Sequence, residues 1–118
     1  MEATITTAEQ GGILRLSGSA DYQATAELRD AFDKAIAEFD GKVVCDLTEL
    51  EFICSDALSV FICAHLAVCP QGGYLRLVNP QQRVQEVFET TRLDKVFGVF
   101  DSAEAARAAP VSTDCCEF

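Results

Sequence analysis

One histidine is all this chain offers for general base chemistry. Ser55, His65 and the acids Asp46 and Asp56 are the residue types of a nucleophile, a base and an orienting acid. Their spacing argues against that use. Ser55 and His65 lie ten residues apart in a stretch that reads as one helix. That separation is ~15 Å along a helix axis. A nucleophile and its base must be within about 3 Å. The chain has no GxSxG elbow, no GxxxxGK[ST] loop and no GxGxxG turn. Asp46 and Asp56 could instead hold Mg²⁺ in a phospho-accepting pocket. Such a pocket wants a paired acid after the first strand and a placed lysine. The first strands are followed by Gln10-Gly11 and Gly18-Ser19. No catalytic residue is assigned, no cofactor is expected, and the chain reads as a non-enzyme.

Six cysteines raise the question of metal or disulfides. Zinc sites are commonly built from CxxC or HxxxH pairs. Cys63 and Cys69 are six apart with the lone His65 between them, so no metal is expected. Cys45, Cys54, Cys63 and Cys69 all lie in apolar stretches, where a free thiol behaves as a small hydrophobe. No disulfide is expected for any of them. Cys115-Cys116-Glu117-Phe118 has the position of a prenylation box, but Glu fits that box poorly. It reads as part of a loose tail, residues 111–118. The start MEATITTAEQ is acidic and polar, unlike a signal peptide. No apolar run reaches the ~18 residues of a membrane span. These features point to a cytoplasmic, reducing setting without direct membrane contact. The net charge of −10 argues against nucleic acid and favours a basic or polar protein partner.

The stretch Lys42 to Cys69 is where elements position polar residues most sharply. Val43 to Leu47 read as a buried strand. Thr48 to Glu51 read as a polar turn, followed by a short apolar step, Phe52-Ile53-Cys54. Ser55 and Asp56 are N-cap types and open a helix from Ala57 to Cys69, stopped by Pro70. On a helical wheel Leu58, Phe61, Ile62, His65, Leu66 and Cys69 share one side. Val60, Cys63, Ala64 and Ala67 share the other and are expected to face outward. With no charge among them, that face reads as an apolar docking surface or a fully buried side.

The rest of the chain alternates strands with helices. Thr4 to Thr7 and Ile13 to Leu16 read as a hairpin around Glu9 to Gly12. Ser19-Ala20-Asp21 forms a second polar gate, ahead of a helix with Ala24, Leu28, Ala31, Phe32, Ala35, Ile36 and Phe39 on one face. Tyr74 to Val78 read as a strand. Asn79, Pro80 and Gln82 read as a capping box for a third helix. Val99-Phe100 and Ser102 to Ala109 read as a last strand and helix. This order implies right-handed crossovers and a largely parallel sheet.

These motifs, in this order, carry a resemblance. VVCDLTELEFICSDALSVF resembles the signature of the STAS domain of bacterial anti-sigma factor antagonists: an apolar strand, D-L-S, then I-D-S-S-G-L-G-V-L. LRLSGSAD resembles the family's L-x-L-x-G-E-L-D, and ATAELRDAF its first helix. LVNPQQRVQEVFETTRLDKVFGVFDS resembles its N-P…T-G-L-D…F-x-x-F-x-S ending. The resemblance covers about residues 5 to 108. It implies an α/β fold: a single STAS-type domain over residues 1–110, with a mixed central sheet and helices packed on one side. It also implies a non-enzymatic module that docks a kinase-type anti-sigma factor, with a phospho-acceptor Ser at the start of the central helix. Asp56 stands at that acceptor position and Cys54 replaces the acid before the pair. Ala57 and Ser59 replace both glycines, and Arg92 replaces the glycine of T-G-L-D. The docking residues implied are Asp21, Ser55, Asp56 and Ser59, with Val60, Cys63, Ala64 and Ala67. Ser55 is the fallback phospho-acceptor. The alternative is a structural STAS subunit of a larger assembly, such as a lipid-transport ABC complex or a stressosome-like particle.

Overall fold

Alternation builds the first hairpin. In β1 (Glu2–Ala8), Ala3 and Ile5 pack on the core while Glu2, Thr4 and Thr6 face solvent. β1 pairs antiparallel with β2 (Gly11–Ala20). The computed structural model describes residues 1–8 and 11–109. The turn residues Glu9 and Gln10 and the expected loose tail, 111–118, lie outside the described residues. Gly11 and Gly12 pair in the ladder, opposite Ala8 and Thr7, rather than in the turn. At Gly12 a Cβ would overlap the ring of Phe39, so close packing explains that glycine.

A short 3-10 turn, Tyr22–Ala24, leads into α1 (Thr25–Glu38). Then follow β3 (Lys42–Ile53), α2 (Ser55–Val68), β4 (Tyr74–Val78), α3 (Gln82–Thr90), α4 (Leu93–Phe97), β5 (Val99–Phe100) and α5 (Ala103–Ala108). The sheet order is β1-β2-β3-β4-β5, and every pair after the first is parallel. Strands that step one place in one direction send every right-handed crossover over the same face. The main core accordingly joins one face of the sheet to α1, α2, α3 and α4. Phe61 of α2 is its hub, with ring centroids 4.9 Å from Phe32 and 5.6 Å from Phe88, both edge-to-face. The other face carries a small cluster, Val44, Val78 and Ala106, under α5. There Arg76 lies over the Tyr74 ring at 3.9 Å and donates to the Ala106 carbonyl at 2.6 Å.

Three local expectations are corrected. Thr48 to Glu51 form no turn: β3 runs unbroken for 12 residues. Its buried residues Leu47, Leu50 and Ile53 recur every three positions, because the ladder with β2 shifts register twice. The third helix begins at Gln82, not Pro80. Asn79 takes a left-handed conformation, φ 50°, and its amide donates to Thr48 Oγ1 at 3.3 Å instead of capping. Lastly, Cys45, Cys54 and Cys63 are free thiols, but Cys69 is disulfide-bonded. Cys69 is buried, as its apolar setting implies, and stands at the C-cap of α2, so burial of a thiol does not by itself keep it free. With Cys69 bonded, the cysteines no longer argue for a reducing compartment.

Candidate functional site

The two polar gates are brought together by strand pairing. Ala20 ends β2 and Ile53 ends β3, and the two are register partners in a parallel ladder. Both gates therefore leave the sheet at the same edge. The Cys54 amide donates to the Ala20 carbonyl at 3.0 Å and joins them. Asp21 is half-buried, and its Oδ1 accepts from the Ala24 amide at 3.0 Å. It caps the 3-10 turn and so fixes the entry to α1.

Ser55 and Asp56 are not the caps of α2. Cys54 occupies the N-cap position, with extended backbone and no side-chain cap bond. Ser55 and Asp56 are the first helical residues, and both are exposed. Asp56 thus places a carboxylate on the positive end of the helix dipole, where a negative charge is stabilised by ~0.3–1 kcal/mol. Ser59 is exposed one turn later and donates through Oγ to the Ser55 carbonyl at 3.3 Å.

The outward face of α2 differs from the wheel. Val60 and Ala64 are core residues, 2% and 7% exposed, so they are corrected from docking surface to interior. α2 contacts α1 as well as the sheet, so a second side of the helix is covered. Small residues allow that close approach. Cys63 and Ala67 are exposed, and so is Leu66, at 43%. The open stripe is therefore Asp56, Ser59, Cys63, Leu66 and Ala67, with Ser55 at its head. It carries a charge only at Asp56. His65 is buried and meets the Phe97 ring edge-on at 5.4 Å, which fits packing rather than catalysis.

Below the gate, burial pushes the Cys45 thiol far up from its ordinary value, with the Asp46 charge adding to the effect. Asp46 itself is engaged. Its Oδ1 accepts from the Thr48 amide at 3.0 Å and from Thr48 Oγ1 at 2.6 Å. Its Oδ2 lies 3.4 Å from Arg15 Nε. Gln81 Nε2 donates to the Thr48 carbonyl at 2.9 Å. This network pins the start of α3 against β3.

Beside it lies a cleft of about 700 Å³, lined by Ser19, Glu51, Phe52, Gln81, Gln82, Arg83 and Glu86. Apart from Ser19, part of the second polar gate, none of these residues stands out as functional in the bare sequence. Phe52 was the available signal: a large aromatic just after two acids, Glu49 and Glu51, and it is 45% exposed.

A family model for the STAS domain matches residues 3–106. Among curated relatives, one from Bordetella bronchiseptica, named a candidate anti-sigma factor antagonist, BtrV, is 36% identical over 87 residues. That alignment spans 74% of this chain and 72% of the relative. Another candidate anti-sigma factor antagonist, from Thermotoga neapolitana, is 31% identical over 75 residues, or 64% of this chain. There the chain spans just under two thirds of the relative, 66%. The solved structure of the anti-sigma factor antagonist SpoIIAA in its unphosphorylated form superposes with a TM-score of 0.75. The match covers 89% of this chain and 92% of that one at 20% identity, a likeness of fold.

Proposed function

The chain belongs to the STAS domain family, and we propose that it acts as an anti-sigma factor antagonist whose phosphoswitch position is occupied by Asp56. The observation that carries this reading is the joining of the two gates. Asp21 and Ser55 each follow directly on the joined pair, Ala20 and Cys54, and Asp56, Ser59 and the open stripe of α2 continue from Ser55, which supports one contact surface. A kinase-type anti-sigma factor would dock across this edge. The chain contributes a binding surface and does no chemistry of its own. Among the described residues no helix is long and apolar enough to cross a membrane.

Asp56 changes the logic of such a switch. A serine kinase cannot place a stable phosphoryl group on a carboxylate as it can on a hydroxyl. The carboxylate supplies one fixed charge where a phosphate would bring nearly two. Partner affinity would then be set by the sequence and not by phosphorylation. Ser55 is exposed next to Asp56 and is the fallback acceptor. Incubation with a purified partner kinase and ATP, followed by intact-mass measurement, tests the reading. Wild type is expected to gain no phosphate, and Asp56→Ser is expected to gain one. Stoichiometric phosphate on wild-type Ser55 would overturn the lost switch.

A further inference from the structure

Phe52 is one of three large apolar side chains exposed among the described residues, with Tyr22 and Leu66. It lies in the cleft beside the gate. Around it the walls are polar: Glu51 from the same strand, Ser19 from β2, and Gln81, Gln82, Arg83 and Glu86 from the start of α3. We infer that this cleft receives a cationic side chain, arginine or lysine, from an extended segment of the protein partner, laid on the Phe52 ring and flanked by Glu51 and Glu86. The inference rests on the docking reading above and extends that surface by one specific contact.

Charge and position support it. A cation over an aromatic face is attracted by the ring's quadrupole, and nearby carboxylates add to that attraction. The whole chain carries −10, which draws a cationic segment in and repels an anionic one. The one cation of the lining, Arg83, is exposed on a flexible stem, and its head can turn to solvent. Gln81 and Gln82 are held already, by the Thr48 carbonyl at 2.9 Å and Glu86 Oε1 at 3.3 Å. The wall is therefore shaped before a ligand arrives. The cleft also continues the gate. Ser19 and Phe52 are register partners, two residues before Asp21 and three before Ser55. A partner seated on the gate would pass this cleft next. The carboxylates are exposed, so they would govern recognition and approach more than affinity.

The probe is a blocked pentapeptide, GLRLG, titrated at millimolar concentration into the ¹⁵N-labelled full chain. Amide shifts are expected to concentrate at Ser19, Glu51, Phe52, Arg83 and Glu86. The peptide GLELG is expected to produce none of them. Phe52→Ser, a change at an exposed position, is expected to weaken the titration about tenfold. Equal shifts from GLELG, shifts spread over the whole acidic surface, or no shifts would each overturn the inference. Asp56→Lys is expected to leave the peptide titration unchanged while weakening kinase binding. The cleft and the gate can thus fail separately.

Discussion

At the scale of single residues, Asp56 and Cys45 show how position changes chemistry. Cys45 is fully buried, and burial holds its thiol protonated. An unfolded chain would release that proton above the ordinary thiol value of 9.0. Stability from this residue is therefore complete below that value and declines as pH climbs above it. The expected slope is about 1.4 kcal/mol per pH unit. Urea unfolding between pH 8 and pH 10 reads it, and Cys45→Ala should flatten it. Arg92 offers the opposite case. It holds a left-handed backbone, φ 62°, where the family's T-G-L-D pattern has glycine. Arg92→Gly is expected to stabilise the fold by about 0.5–1 kcal/mol, read from the denaturant midpoint. Asp56 and Arg92 were visible as departures from pattern in the bare sequence. What they do depends on backbone geometry: Asp56 is a first-turn acid, not a cap, and Arg92 sits at positive φ.

At the scale of elements, helix order was legible and helix facing was not. The wheel for α2 sorted large from small side chains and sent the small ones to solvent. A helix packed against both a sheet and a neighbouring helix uses its small residues at the second contact, so Val60 and Ala64 are buried. Ala64→Arg should therefore destabilise the fold by ~3 kcal/mol or more, because it buries an unpaired charge. Ala67→Arg, on the open stripe, should leave the thermal midpoint nearly unchanged. β3 hid itself in a similar way. Its register shifts turn a two-residue alternation into a three-residue one, which reads as a turn followed by a new step. The cleft was hidden with it, since Glu51 and Phe52 belong to that second half. Gly12→Ala tests the packing at the other end of the sheet. It should cost about 1–3 kcal/mol as the Phe39 ring is displaced.

At the scale of the whole molecule, the sequential sheet decides where function can lie. β2 and β3 are parallel neighbours, so their C-terminal ends meet at one end of the sheet with the start of α2. The alternation of strands and helices was enough to read right-handed crossovers and a largely parallel sheet, while the helices on one side came from the family resemblance. The docking claim follows from that end of the sheet, and the most direct measurement is calorimetric titration of a purified kinase-type anti-sigma factor with wild type and Ser59→Arg. Ser59 is exposed in the middle of the proposed contact, so the substitution should keep the fold. The account predicts that wild type binds and that Ser59→Arg binds at least about tenfold more weakly, with an unchanged thermal midpoint. Equal affinity for the two proteins would contradict it and place the partner on another face.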